Sequence, residues 1–312
     1  MKGLELCEAY YNTYGSKLIR DKFARYEDRI AIGLVGEGSD CFGYDDEISQ
    51  DHDWGPGFCL WLDSDGYDAV GSALQAEYQK LPQYFESFKR LPSRWGKARL
   101  GVIEIGAFYR RFIGRSSAPD NAEQWFYMPE PNLAACTNGK IFYDPLGKFS
   151  AIREELLAYF PEDVRLAKIV SRCIAAAQSG QYNYPRMVKR DESFAAQYAL
   201  TKFCAEVIAL AFLLNRRYCP FYKWIHKAVR ELPVLGDFLY RHVRSLATEP
   251  DVEKKKELIE NISSALINAF KWQNLSTSKS TFLLDHGSAI TRKISDPRML
   301  EMARSWVLPC GR

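Results

Sequence analysis

Ile30-Ala31-Ile32-Gly33-Leu34-Val35-Gly36-Glu37-Gly38-Ser39-Asp40 is the stretch on which the fold turns. A short apolar run with charges before it and glycines after it is the pattern of a buried strand ending in a tight turn. Eleven residues separate Ser39 from Asp51-His52-Asp53-Trp54-Gly55, and Phe58-Cys59-Leu60-Trp61-Leu62 is a second apolar run. If a strand begins at the aspartates and continues into Phe58–Leu62, side-chain alternation puts Asp51 and Asp53 on one face and His52 on the other. Two carboxylates so placed repel each other, and a divalent cation relieves the repulsion. Oxygen ligands alone select magnesium or manganese. The Gly38-Ser39 turn offers backbone N–H groups and a hydroxyl with no bulky side chain between them, a cradle for a phosphate chain. Other glycine and aspartate motifs are excluded. No GxxxxGK[ST] loop is present, and Cys41 stands where GxGxxG needs its third glycine. Calcium-binding loops begun at Asp51 or Asp63 would place Leu62 or Leu74 at the position that requires a glutamate.

Arg99-Leu100-Gly101-Val102-Ile103-Glu104-Ile105 and Lys140-Ile141-Phe142-Tyr143 read as further strands, the latter closed by the turn signal Asp144-Pro145-Leu146-Gly147. Gly3–Tyr26 and Tyr67–Lys80 read as helices. Glu104 is a lone charge within an apolar strand, which is costly unless the group is paired or metal-bound. It is the candidate third ligand, and a partnership with an arginine is the competing reading. Asp51, Asp53 and Glu104 together would hold two magnesium or manganese ions for in-line displacement at phosphorus. From Ser150 onward the composition is helical, in stretches 151–159, 164–178, 191–217, 222–231, 252–272 and 297–306, with Pro161 suited to a helix's first turn. The expected fold class is α+β: a small mixed-sheet domain over residues 1–149, then an all-helical domain over 150–312.

Of the 312 residues, 47% are apolar and 26% charged, which fits a globular chain and excludes a wholly disordered one. Residues 1–150 carry 17 basic and 22 acidic side chains and residues 151–312 carry 25 and 17, so the halves bear −5 and +8. An acidic half followed by a basic half suits a metal site facing a polyanion-binding wall; two ordinary solvated surfaces would give the same numbers. The eight cysteines form no CxxC pair, so reduced thiols are expected, Cys310 among them. The four histidines form no metal-ligand spacing. No run of 18 apolar residues is present, and Met1-Lys2-Gly3-Leu4-Glu5 lacks a secretory pattern, so no membrane association and a cytoplasmic location are expected.

The order Gly38-Ser39, Asp51-x-Asp53, strand-borne Glu104 resembles the nucleotidyltransferase superfamily of DNA polymerase β-like enzymes. The fuller strings Gly43-Tyr44-Asp45-Asp46-Glu47-Ile48-Ser49, Phe108-Tyr109-Arg110-Arg111-Phe112 and Pro220-Phe221-Tyr222-Lys223-Trp224 resemble a bacterial branch of it described as a domain of unknown function. The two-domain plan is similar to that of aminoglycoside adenylyltransferases. The resemblance implies transfer of an NMP, AMP first, from an NTP to a hydroxyl. It also implies a helical domain that closes over the nucleotide and acceptor and supplies a lysine to the triphosphate, at Lys223 here. It does not fix the acceptor, since members modify antibiotics, proteins, RNA and metabolites.

Several further residues admit two readings. Arg186, Lys189 and Arg190 fall on one helical face behind Tyr182 and Tyr184, as an acceptor or phosphate platform or as a solvated basic face. Glu192 is a candidate general base or a plain surface acid. Lys223 and Lys227 lie one helical turn apart, and Lys254-Lys255-Lys256 beside Glu253 and Glu257 reads as solvated. Trp54 could meet a base, though a core aromatic is the commoner fate. Three functions follow: a nucleotidyltransferase with a small-molecule or protein acceptor, a non-catalytic NTP-binding module on the same fold, and an RNA-directed enzyme. The last ranks below the others because no nucleic-acid recognition motif is visible.

Overall fold

The computed structural model describes residues 1–90 and 99–307; Cys310 lies outside them. The chain divides into two compact units, residues 1–119 with 131–158, and residues 120–130 with the chain from Tyr159 onward.

The first unit is built on a mixed sheet of β1 (Ala31–Leu34), β2 (Cys59–Leu62), β5 (Gly101–Glu104) and β6 (Lys140–Tyr143), in the order β5-β2-β1-β6. β1 runs antiparallel to β2 and β6, and β2 runs parallel to β5 with Leu62 opposite Glu104. All four strand runs read from the sequence are present. β1 and β2 are buried at every position because both faces of the sheet are covered. On one face Ile32, Leu60 and Leu62 pack with Tyr10, Tyr11 and Ile19 from the N-terminal segments. On the other, Trp61 stacks on Phe149 at 4.0 Å between centroids, and Phe108 packs edge-on against it. Gly33 leaves room for this ring: a Cβ there would strike the Trp61 side chain and the Lys140 carbonyl.

A small hairpin of β3 (Tyr84–Phe85) and β4 (Phe88–Lys89) was not expected. Its turn residues Glu86 and Ser87 both take positive φ, and neither is a residue that advertises such a turn. The N-terminal helix also departs from expectation. It is broken into Gly3–Tyr10, a π-helical turn Tyr11–Gly15 and Ser16–Lys22.

The second unit is helical. Helix Glu162–Ala176 packs against Ser193–Leu214, Leu283–Thr291 and Pro297–Val307. Ser193–Leu214 is long and apolar enough to span a bilayer, which the sequence reading did not anticipate; two thirds of its most apolar window, 67%, is buried inside the protein, the setting of a core helix.

The expected division at 149/150 differs from the packing. Helix Lys148–Leu157 belongs to the first unit because it buries Phe149 and Leu156. Residues 120–130 cross to the second unit, where Trp125 packs against Phe160.

Candidate functional site

β1 ends at Leu34, and the chain turns through Gly36 (φ 130°) and Gly38 (φ 123°) into a single-turn helix, Ser39–Phe42. The Asn138 side chain holds the turn by bonding both the N–H and the carbonyl of Gly36, at 2.9 and 2.8 Å. Gly38 has a reason to lack a side chain: a Cβ would occupy the space of the Arg99 guanidinium.

Arg99 organises this region. Its guanidinium pairs with the Asp40 carboxylate and also donates to the Asp53 carbonyl. One planar group therefore ties the Gly-Ser turn to the aspartate loop. Both partners of the ion pair are buried, Asp40 at 1% exposure and Arg99 at 8%. Arg90 adds a second clamp, donating to the carbonyls of Asp53, Gly55 and Pro56 at 2.8, 2.8 and 3.2 Å. Trp54 is a core aromatic: it donates to buried Asp45 at 3.1 Å and packs edge-on against Phe88. Asp45 also accepts from the Gly3 N–H at 2.8 Å.

The aspartate loop is not the start of a strand. Asp51 has helical angles (φ −69°, ψ −35°), Asp53 has φ 53°, and β2 begins only at Cys59. Gly55 and Gly57 at positive φ, with Pro56 between them, keep the ladder from starting earlier. The alternation argument for Asp51 and Asp53 therefore fails. His52 does not turn away either; its Nδ1 lies 2.8 Å from the exposed Asp51 carboxylate.

Glu104 ends β5 and caps the helix Ile105–Ile113, accepting from the Gly106 and Ala107 N–H groups at 3.1 and 2.8 Å. It also accepts from Ser64 at 3.0 Å and pairs with Arg110 at 2.6 Å. The arginine partnership is thus the one observed. Among the described residues, no three His, Cys, Asp or Glu side chains are grouped as the ligands of one cation. Asp51, Asp53 and Glu104 as arranged do not form the expected magnesium or manganese site.

Three thiols near the loop are buried, which disfavours the thiolate form. Burial pushes Cys7 up to about 11 and Cys59 up to about 12, and it raises Cys41 further still.

The remaining sequence candidates lie in the helical unit. Lys223 precedes the helix Ile225–Val229 rather than lying on it, exposed, with its ammonium 4.8 Å over the Trp224 ring. Arg186, on helix Tyr184–Lys189, covers the Tyr182 ring at 4.7 Å. Arg190 follows that helix as its C-cap, and Glu192 stands at the N-cap of Ser193–Leu214 without a side-chain capping bond. Sequence reasoning missed Arg90, Arg99, Asp40 and Asp45. The one available signal was an acid beside the Gly-Ser turn, which needs a buried cation once that turn is inside.

A family model described as a domain of unknown function (DUF4037) matches residues 125–225. No curated protein matches the chain. Among solved structures, a nucleotidyltransferase-like protein from Exiguobacterium sibiricum 255-15 is similar at 11% identity, over 92% of this chain and 89% of that one, with a TM-score of 0.36. A likeness at that score decides neither fold nor function.

Proposed function

We propose that the chain is a nucleotidyltransferase that moves an NMP from an NTP to a hydroxyl acceptor. The observation that carries this reading is the Arg99 guanidinium, which reaches from Asp40, next to Ser39, to the backbone of Asp53. It holds the glycine turn and the aspartate loop within the span of one side chain, the pairing that the superfamily resemblance calls for. In the reaction the acceptor oxygen bonds to the α-phosphorus, the bond to the β-phosphate oxygen breaks, and pyrophosphate leaves with the acceptor proton taken up by a base.

In this reading Gly38 and Ser39 meet the phosphate chain through backbone N–H groups and the hydroxyl, and Lys223 contributes charge to the triphosphate. Arg186, Arg190 and Glu192 belong to the acceptor side, with Glu192 as the candidate base. AMP as the transferred group, a divalent-cation requirement and a cytoplasmic setting are part of the same proposal. The carboxylates do not fit a cation site as they stand, so no step is derived through a metal. That misfit, with Glu104 committed to a helix cap and Arg110, favours a second reading: an NTP-binding module without transfer.

Incubation with each α-labelled NTP and a cell extract tests both. Transfer of label with pyrophosphate release, lost in the Ser39→Ala/Lys223→Ala double variant, is the expected result. Tight NTP binding with the nucleotide recovered intact favours the module. Equal labelling by wild type and double variant overturns the assigned site.

A further inference from the structure

The helical unit contains a groove that the nucleotide-transfer reading does not use. Helix Glu162–Ala176 passes into a π-helical stretch, Ala177–Asn183, before helix Tyr184–Lys189 begins. Such stretches are rare and recur at functional positions. Between this stretch and Ser193–Leu214 lies a groove of about 470 Å³, within the size range of small-molecule sites.

Its floor is apolar, from Ile174, Ala175 and Met187. One wall consists of Phe194 and Tyr198, whose rings lie 25° from parallel with centroids 6.4 Å apart, 83% and 65% exposed. Two exposed rings held near parallel one helical turn apart offer apolar area to a third ring. Besides Ser171 and Ser179, three longer polar side chains line the groove: Gln178, Asn183 and Lys202. None of the three has a hydrogen-bond or ion-pair partner among the described residues. Lys202 is the single charged residue in the lining, so the groove complements an anion.

We propose that this groove is a binding site for a small planar aromatic acid, its rings against Phe194 and Tyr198 and its acidic group at Lys202. The inference stands on the groove alone and does not depend on nucleotide transfer.

Titration of the full chain with anilinonaphthalene sulfonate, a planar aromatic anion, tests it, with neutral phenylnaphthylamine as the control dye. One saturable sulfonate site per chain is expected. Ala175→Trp, which fills the floor, abolishes it. Tyr198→Ala, an exposed change that spares the fold, weakens both dyes. Lys202→Gln weakens the sulfonate about three- to fivefold, as loss of an exposed ion pair does, and leaves the neutral dye unchanged. Non-saturable binding in wild type overturns the proposal. So does equal loss of both dyes in Lys202→Gln, or sulfonate binding unchanged by Tyr198→Ala. Sedimentation showing a dimer that Phe194→Ala dissociates would also overturn it, by assigning the groove to a second copy.

Discussion

At the scale of single residues, the Asp40–Arg99 pair is a buried ion pair that replacing one partner would break. Both groups are buried, and Asp40 Oδ2 and Arg99 Nε have no hydrogen-bond partner among the described residues. Removing one partner strands the other's charge, at a cost of about 3–5 kcal/mol, whereas removing both costs less. Urea unfolding should therefore show Arg99→Met losing about 3–5 kcal/mol and Asp40→Asn/Arg99→Met recovering part of that loss. Equal stability of the single and double variants would contradict the pairing. Asp63 gives a pH-dependent counterpart. Burial alone would raise its carboxyl, but hydrogen bonds from Lys148, the Gly66 N–H and Arg29 outweigh it and hold the value at about 2. A depressed carboxylate contributes stability above its ordinary value, and that contribution fades as pH falls toward the folded-state value. Wild type should exceed Asp63→Asn by on the order of 1 kcal/mol at neutral pH. The gap should close between about pH 4 and pH 2, as read by unfolding curves across that range.

Secondary-structure elements show where sequence legibility stops. The strands were readable because β1 and β2 are covered on both faces, which turns burial into continuous apolar runs. The aspartate loop was not, because its shape is set from outside. Arg90 sits beyond β4 and Arg99 just before β5, and no local pattern says that both will donate to the carbonyl of Asp53. Glu104 was readable as a charge needing a partner but not as to which: a cap with an arginine and a metal ligand look alike in a strand-ending glutamate. The loop clamp makes a testable claim. Hydrogen bonds from a charged donor contribute about 1.5–3 kcal/mol each. Arg90→Ala should accordingly speed amide exchange in peptides covering residues 53–57 by tenfold or more, with little change in helices of the second unit.

On the scale of the whole molecule, the thiols report on the fold. Cys7, Cys41, Cys59, Cys136 and Cys173 are buried, whereas Cys204 and Cys219 are half-buried. Burial raises all seven above the ordinary thiol value, Cys136 and Cys204 to about 12. Alkylation of native protein followed by peptide mass mapping should leave the five buried thiols unmodified until the chain unfolds. Rapid labelling of Cys41 or Cys59 in folded protein would show that the sheet unit opens on its own.

The path of the chain carries a consequence for biosynthesis. Residues 120–130 belong to the second unit, yet they leave the ribosome before 131–158 complete the first. Domains close as they emerge, N-terminal side first. Trp125 and its neighbours must therefore wait in water as a tethered loop until Phe160 and the helices beyond it are synthesised. That nascent interval is when a chaperone has most to shield.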